Sequence, residues 1–192
     1  MRSLVWYAAF GVVVTAACGN PFGIGPANFE NTVDTVSIYA VNGTSIDKPS
    51  AFVLATKLPY RLGLDQLPYN FDFVYRVGSA GEPELAPFYA VVPDTSTATA
   101  TGRSGFLLTS QAFDDITIAE QSGYVTDSAL ALSVGQVFYF RSGIPNGCYL
   151  SIPYYAKIQV ISIDPDARSV TLKMLVDNNC GYRGLDQGFP QQ

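Results

Sequence analysis

Residues 155–176 read YAKIQVISIDPDARSVTLKMLV, and this stretch decides the fold class. Two strand-like runs, 155–163 and 170–176, flank Asp164-Pro165-Asp166-Ala167-Arg168. The proline fixes the backbone at the second turn position, so the segment is an antiparallel hairpin. Continuing its pairing backwards sets Cys180 opposite Tyr154, about six residues from Cys148. Pro153 interrupts that ladder, so Cys148 has to fold back from Pro145-Asn146-Gly147 to reach Cys180.

Working outward, residues 129–134 and 137–141 are short strands around the tight-turn pair Gly135-Gln136. Apolar runs at 106–108 and 116–118 precede them, and residues 93–105 (PDTSTATATGRSG) form a long polar loop or a polar edge strand. In 69–77, Phe71, Phe73 and Tyr75 alternate with Asp72, Val74 and Arg76, a period of two. Residues 78–87 carry turn residues, and 88–92 resume a short strand. The run 51–58 (AFVLATKL) is a strand or one to two helical turns. Strand signals begin at Val33, with Val36, Ile38 and Ala40 on one face, and Asn42-Gly43 marks a type I′ hairpin turn.

The sum is about eight to ten short strands, with no helix of ten residues beyond the N-terminal segment. Composition agrees: 12 Tyr, 12 Phe, 17 Gly and 12 Pro with only 14% charged residues describe a globular, strand-rich chain. The expected fold is all-β, an antiparallel β-sandwich or an open barrel.

The N-terminus has a different grammar. Arg2 precedes an apolar run at 4–14, followed by Thr15-Ala16-Ala17-Cys18. This resembles a bacterial lipoprotein signal peptide, although the family pattern prefers an aliphatic residue at the position held by Thr15. The other reading is an ordinary secretory signal with a cysteine nearby. The uncharged stretch 3–17 is shorter than the ~20 residues a membrane-spanning helix needs. The resemblance implies cleavage before Cys18 and acylation of that cysteine, an effectively permanent anchor. Gly19, rather than Asp, follows the cysteine, which points toward the outer membrane. The chain then divides into a signal peptide (1–17), a lipidated flexible tether (18–31, rich in Gly, Pro and Asn) and a single β-domain (32–192).

With Cys18 acylated, Cys148 and Cys180 are the remaining thiols. Export permits a disulfide between them, and two free buried thiols are the alternative. The closed loop of 33 residues makes such a bond worth about 3 kcal/mol.

Absences narrow the chemistry. The chain has no histidine, which excludes Ser-His-Asp and Cys-His catalysis and histidine-ligated metals. It contains no Gly-x-Ser-x-Gly elbow, phosphate loop or dinucleotide fingerprint. Without a Cys-x-x-Cys pair zinc is unsupported, and neither a cofactor nor a metal is expected. The net charge of −5 becomes −6 once Arg2 is removed with the signal, which argues against nucleic acid.

The remaining candidates each have a plainer reading. Ser45-Ile46-Asp47-Lys48 spells Ser-x-x-Lys, the acyl-serine motif of penicillin-interacting enzymes, but Pro49 disfavours the helical turn that chemistry needs. Adjacent Asp114 and Asp115 point to opposite faces of any strand, so a glycosidase pair there requires a loop. Asp164 and Asp166 are calcium ligands or turn formers. Phe138, Tyr139, Phe140, Tyr149, Tyr154 and Tyr155 make either a sugar-stacking platform or sandwich core.

The segments Tyr155-Ala156-Lys157-Ile158 through Asn179-Cys180-Gly181-Tyr182-Arg183-Gly184-Leu185 are similar to stretches of uncharacterised exported bacterial lipoproteins, a resemblance that implies no activity. The expectation is a lipid-anchored envelope protein, membrane-attached through Cys18, whose non-catalytic β-domain binds or supports an envelope protein or glycan. Its alternative is a carboxylate-dependent enzyme acting on envelope or extracellular polysaccharide. A cleft gathering two carboxylates ~5–10 Å apart beside exposed aromatic rings would favour the enzyme.

Overall fold

The computed structural model describes residues 25–65, 71–92, 102–143, 148 and 152–190. Its strands, in chain order, are β1 (Val33–Tyr39), β2 (Ala51–Val53), β3 (Leu58–Tyr60), β4 (Phe73–Val77) and β5 (Pro83–Pro87). After a four-residue helix, α1 (Phe88–Val91), come β6 (Gly105–Thr109), β7 (Leu130–Ala131), β8 (Val137–Arg141), β9 (Tyr155–Asp164) and β10 (Ser169–Asp177). One sheet is ordered β1-β10-β9-β8-β6 and the other β3-β2-β4-β5-β7, with every pairing antiparallel. Neither sheet closes on itself. The fold is a β-sandwich.

The hairpin of residues 155–176 sits at its centre. Asp164 Oδ1 accepts from the amides of Asp166 (3.0 Å) and Ala167 (2.8 Å), which folds the chain over Pro165. Pairing then runs from Ser169–Asp164 to Asp177–Tyr155, with a bulge between Thr171 and Leu172 that leaves Ile161 unpaired. Turn and bulge each move the register by one. Extended, it sets Cys180 opposite Ile152 rather than Tyr154, and the Cys148 amide donates to the Ile152 carbonyl at 3.0 Å.

Between the sheets lie Ile38, Phe52, Phe73, Tyr75, Leu85, Phe138, Phe140, Ile158, Leu172 and Met174, all buried. Rings dominate it: Phe106 and Phe140 have centroids 4.7 Å apart, and Phe73 meets Phe140 edge-on at 5.0 Å. The outer face of the larger sheet is covered too, by Phe113, Ile116 and Leu185 over Tyr139, Tyr155 and Leu175. There the Lys157 ammonium is pinned on the Ile116 carbonyl (2.8 Å) and lies 4.8 Å from the Phe113 ring centroid.

Several local expectations yield to the sheets. Asn42-Gly43 is a turn, with Gly43 at φ +77°, yet it joins no hairpin. All of β1 pairs with β10, from Val33–Leu175 to Tyr39–Ser169, a longer partner than the three-residue β2. Gly135-Gln136 likewise carries the chain from β7 in one sheet to β8 in the other. Residues 83–87, which read as turn, form β5 because prolines are tolerated at a strand's ends, while 88–91 coil into α1 behind Pro87. The run 51–58 splits into the β2–β3 hairpin, with Lys57 at φ +57°. Residues 116–118 contribute a single bridge, Ile118–Gly184, preceded by a 3₁₀ turn at Phe113–Asp115.

Candidate functional site

Polar groups converge at the two ends of β1, which its seven residues hold roughly 20 Å apart. At the first, Cys148 and Cys180 are disulfide-bonded, with Cα atoms 5.5 Å apart, inside the range a bridge requires. The bond holds the residues just after β10. Asp177, fully buried, accepts through Oδ1 from both the amide and the side-chain nitrogen of Asn179, each at 2.8 Å. Thus oriented, Asn179 Oδ1 accepts the amides of Asn28 (2.7 Å) and Phe29 (2.9 Å), and its Nδ2 donates to the Phe29 carbonyl at 2.9 Å. Asn31 completes the clasp: its backbone pairs with Gly188, and its side chain donates to the Gly184 and Asp186 carbonyls.

Residues 28–31 of the expected free tether are therefore fastened to the C-terminal segment. A bidentate asparagine satisfies backbone groups that a free tether would leave to water. Burial pushes the Asp177 carboxyl above the usual carboxylate range, against the downward pull of the Asn179 donors and Lys57. Its Oδ2 and the Oδ1 of Asn31, facing across the extended β1–β10 register, have no hydrogen-bond partner among the described residues.

At the opposite end, the β4–β5 turn forms one wall of a cleft of about 420 Å³ lined by Val41, Asn42, Arg76, Gly78, Glu82 and Glu84 among others. The Asn42 side chain closes onto both backbone groups of Val77, donating at 2.8 Å and accepting at 3.0 Å. Glu84 pairs with Arg76 at 2.8 Å. A side chain at Gly78 would put a Cβ 2.6 Å from the Glu82 carboxyl carbon and 3.0 Å from that of Glu84. The two carboxyl carbons are thus no more than 5.6 Å apart, over a position that only glycine leaves open. The bound places the two carboxyls at or below the short end of the range asked of a carboxylate pair, and no aromatic ring lines the cleft.

The residues singled out from sequence distribute as follows. Asp114 and Asp115 lie on the 3₁₀ turn, where Asp114 pairs with Lys173 at 3.1 Å. Asp164 takes the turn role over Asp166. Ser45 and Lys48 line one cleft of about 250 Å³, with Lys48 turned 5.1 Å from the Tyr39 ring centroid. Phe138, Tyr139, Phe140 and Tyr155 are buried and Tyr154 packs against the core, so these rings form no exposed platform. Tyr149, the signal segment 1–17, Cys18, residues 19–24 of the tether, residues 93–101 of the long loop, and Pro145-Asn146-Gly147 lie outside the described residues.

Among the described residues no group of three or more Cys, Asp or Glu could hold a metal, and no helix is long and apolar enough to cross a membrane. Glu82 and Glu84 escaped the sequence reading because Gly81, Pro83 and Pro87 marked the segment as turn. The Glu-x-Glu spacing, which sets both acids on one strand face, was the signal available. Asn31 and Asn179 carried none, since their partners lie about 150 positions away, and Asp177 acts only through Asn179. Fold and site together define the class: an all-β, disulfide-closed sandwich with a clasped N-terminal strap. No protein-family model, no curated protein and no solved structure matches the chain.

Proposed function

We propose that this is a lipid-anchored protein of the bacterial cell envelope, attached through acylated Cys18, whose sandwich is a non-catalytic binding module. The carrying observation is the clasp of residues 28–31 on Asn179 and Gly188. It fixes residues 28–31 at the disulfide end, so an anchor a short stretch of chain before them would turn the Glu82–Glu84 cleft away from the lipid. The apolar run ending in Thr15-Ala16-Ala17-Cys18 and the oxidised cysteine pair of an exported protein support the same reading. Gly19, rather than Asp, after the cysteine supports an outer-membrane destination. The cleft is the binding surface, with one carboxylate balanced by Arg76 and a second, Glu82, free of any ion pair among the described residues. That net charge selects a polar ligand bearing a cationic group, on an envelope protein or glycan.

Intact-mass analysis of the membrane-extracted chain tests the anchor. A mature protein beginning at Cys18 and carrying acyl groups is expected; an unmodified chain recovered from the soluble fraction would refute it.

A second reading, a carboxylate-dependent enzyme on polysaccharide, is favoured by one observation, the 5.6 Å bound on the Glu82–Glu84 carboxyl separation. That bound excludes the wider separation of an inverting pair and leaves the retaining geometry. Reducing-end release from envelope glycans, abolished by both Glu82→Gln and Glu84→Gln, would establish it in place of the binding module.

A further inference from the structure

Of the exposed large apolar side chains among the described residues, two are aromatic: Phe29, 60% exposed, and Phe189, 56% exposed. They lie far apart in sequence, yet the clasp brings their chain segments side by side. Asn31 and Gly188 exchange two backbone hydrogen bonds, the Asn31 amide donating at 2.7 Å and the Gly188 amide at 3.0 Å. Phe29 stands two residues before one member of that antiparallel pair and Phe189 one residue after the other. Both segments are held rigidly, Phe29 by Asn179 and the 184–188 stretch by Asn31 and the buried Leu185. A folded protein rarely fixes two such rings in water on adjacent segments without a use for them.

We infer that Phe29 and Phe189 are the lipid-contacting surface of this domain, inserting into the membrane interface and fixing which end of the sandwich faces the bilayer. This rests on the acylation of Cys18 proposed above. The length of chain decides the occupant. From Cys18 to Gly25, the first described residue, there are seven Cα steps, which span at most about 25 Å when fully extended. The clasped end therefore cannot stray far from the headgroups, and Phe29 lies only four residues beyond Gly25. Aromatic rings are suited to the bilayer interface, where one edge is apolar and the other wet. The flanking exposed acids are Glu30 and Asp186, so the contact is apolar rather than an attraction to anionic lipid. Exposed Val134 (63%) and Ile46 (62%) sit at the other end of the sheets, beside the Gly135–Val160 bond and the turn after β1.

The chain leaves room for a clean fluorescent probe, because its one tryptophan is Trp6, in the segment removed with the signal. Phe29→Trp, Phe189→Trp and, as the distal control, Val134→Trp would each be purified as the full acylated chain. Reconstitution in phosphatidylcholine vesicles with brominated acyl chains then reports contact with lipid. The Phe29→Trp and Phe189→Trp proteins are each expected to lose roughly half their emission to the bromines, and the Val134→Trp protein almost none. Adding Phe189→Glu to the Phe29→Trp chain should remove most of that loss. Acylated Phe29→Trp and Phe189→Trp proteins quenched no more than the Val134→Trp control would overturn the inference while leaving the anchor standing; a second copy or a protein partner covering this face would give that result. Absence of acyl chains in the mass spectrum fells anchor and inference together, and the mass tells the two failures apart.

Discussion

At the disulfide end, polar groups are buried and chained: Asp177 orients Asn179, Asn179 holds Asn28 and Phe29, and a covalent bond fixes the adjoining residue. At the carboxylate end they are only partly exposed, Arg76 and Glu84 keeping 36% and 15% of their side-chain surface in contact with water. The first arrangement stabilises, because each buried partner lost leaves another unsatisfied. The second contributes little to stability, since exposed ion pairs are worth less than about 1 kcal/mol. Its cost is the opposite one, two carboxylates crowded over Gly78. One end is organised for holding and the other for meeting a ligand.

The contrast breaks first at the cysteines. Cys148→Ser with Cys180→Ser should lower unfolding free energy by roughly 3 kcal/mol, read by denaturant titration. Hydrogen exchange at Asn28 and Phe29 should speed up in the same protein. Equal stability of variant and wild type would remove the disulfide's assigned role.

Asn179→Ala, the next largest, deletes the acceptor of two amides and the donor to Phe29. It should cost about 2 kcal/mol and free the amides of residues 28 and 29, while signals from Val77 and Gly78 stay unchanged. A shift at both ends would mean they are not independent.

Asp177→Asn sharpens the account through pH. A carboxyl whose folded value is raised gives stability that is fully present below its unfolded value, ~3.9, and is lost as pH rises through the folded value. Asparagine keeps an acceptor for Asn179 without the charge. The variant's stability relative to wild type should therefore improve as pH rises above about 4 and level off once pH has passed the raised folded value. A pH-independent difference would show that Asp177 is not destabilised by its burial.

The smallest effects belong at the cleft. Arg76→Ala should cost about 0.5 kcal/mol. Gly78→Ala should change stability by only a few tenths, because the Glu82 carboxyl at the end of its flexible chain can swing aside. The same swing should weaken any ligand that needs both acids. Loss of several kcal/mol from Gly78→Ala would make the cleft part of the scaffold after all.

What the sequence determined by itself was local or compositional. Alternation and the Asp164-Pro165 turn specified the β9–β10 hairpin, because strand period and proline geometry act over a few residues. Aromatic content without helical periodicity specified an all-β chain. Setting Cys18 aside left Cys148 and Cys180 to be either bonded or free, and the absence of histidine closed whole classes of catalysis. Only the tertiary structure decided which strands meet. Asn42-Gly43 read as a hairpin turn and Gly135-Gln136 as a tight turn, yet both cross between sheets, since a turn fixes only its own torsions and partners are chosen by matching length and burying a face. The bulge that leaves Ile161 unpaired, and with it the residue opposite Cys180, is likewise a property of the pair of strands and not of either alone. The clasp and the carboxylate cleft were decided there too. They join residues about 150 positions apart in one case and depend on a missing Cβ in the other, and no local pattern encodes either.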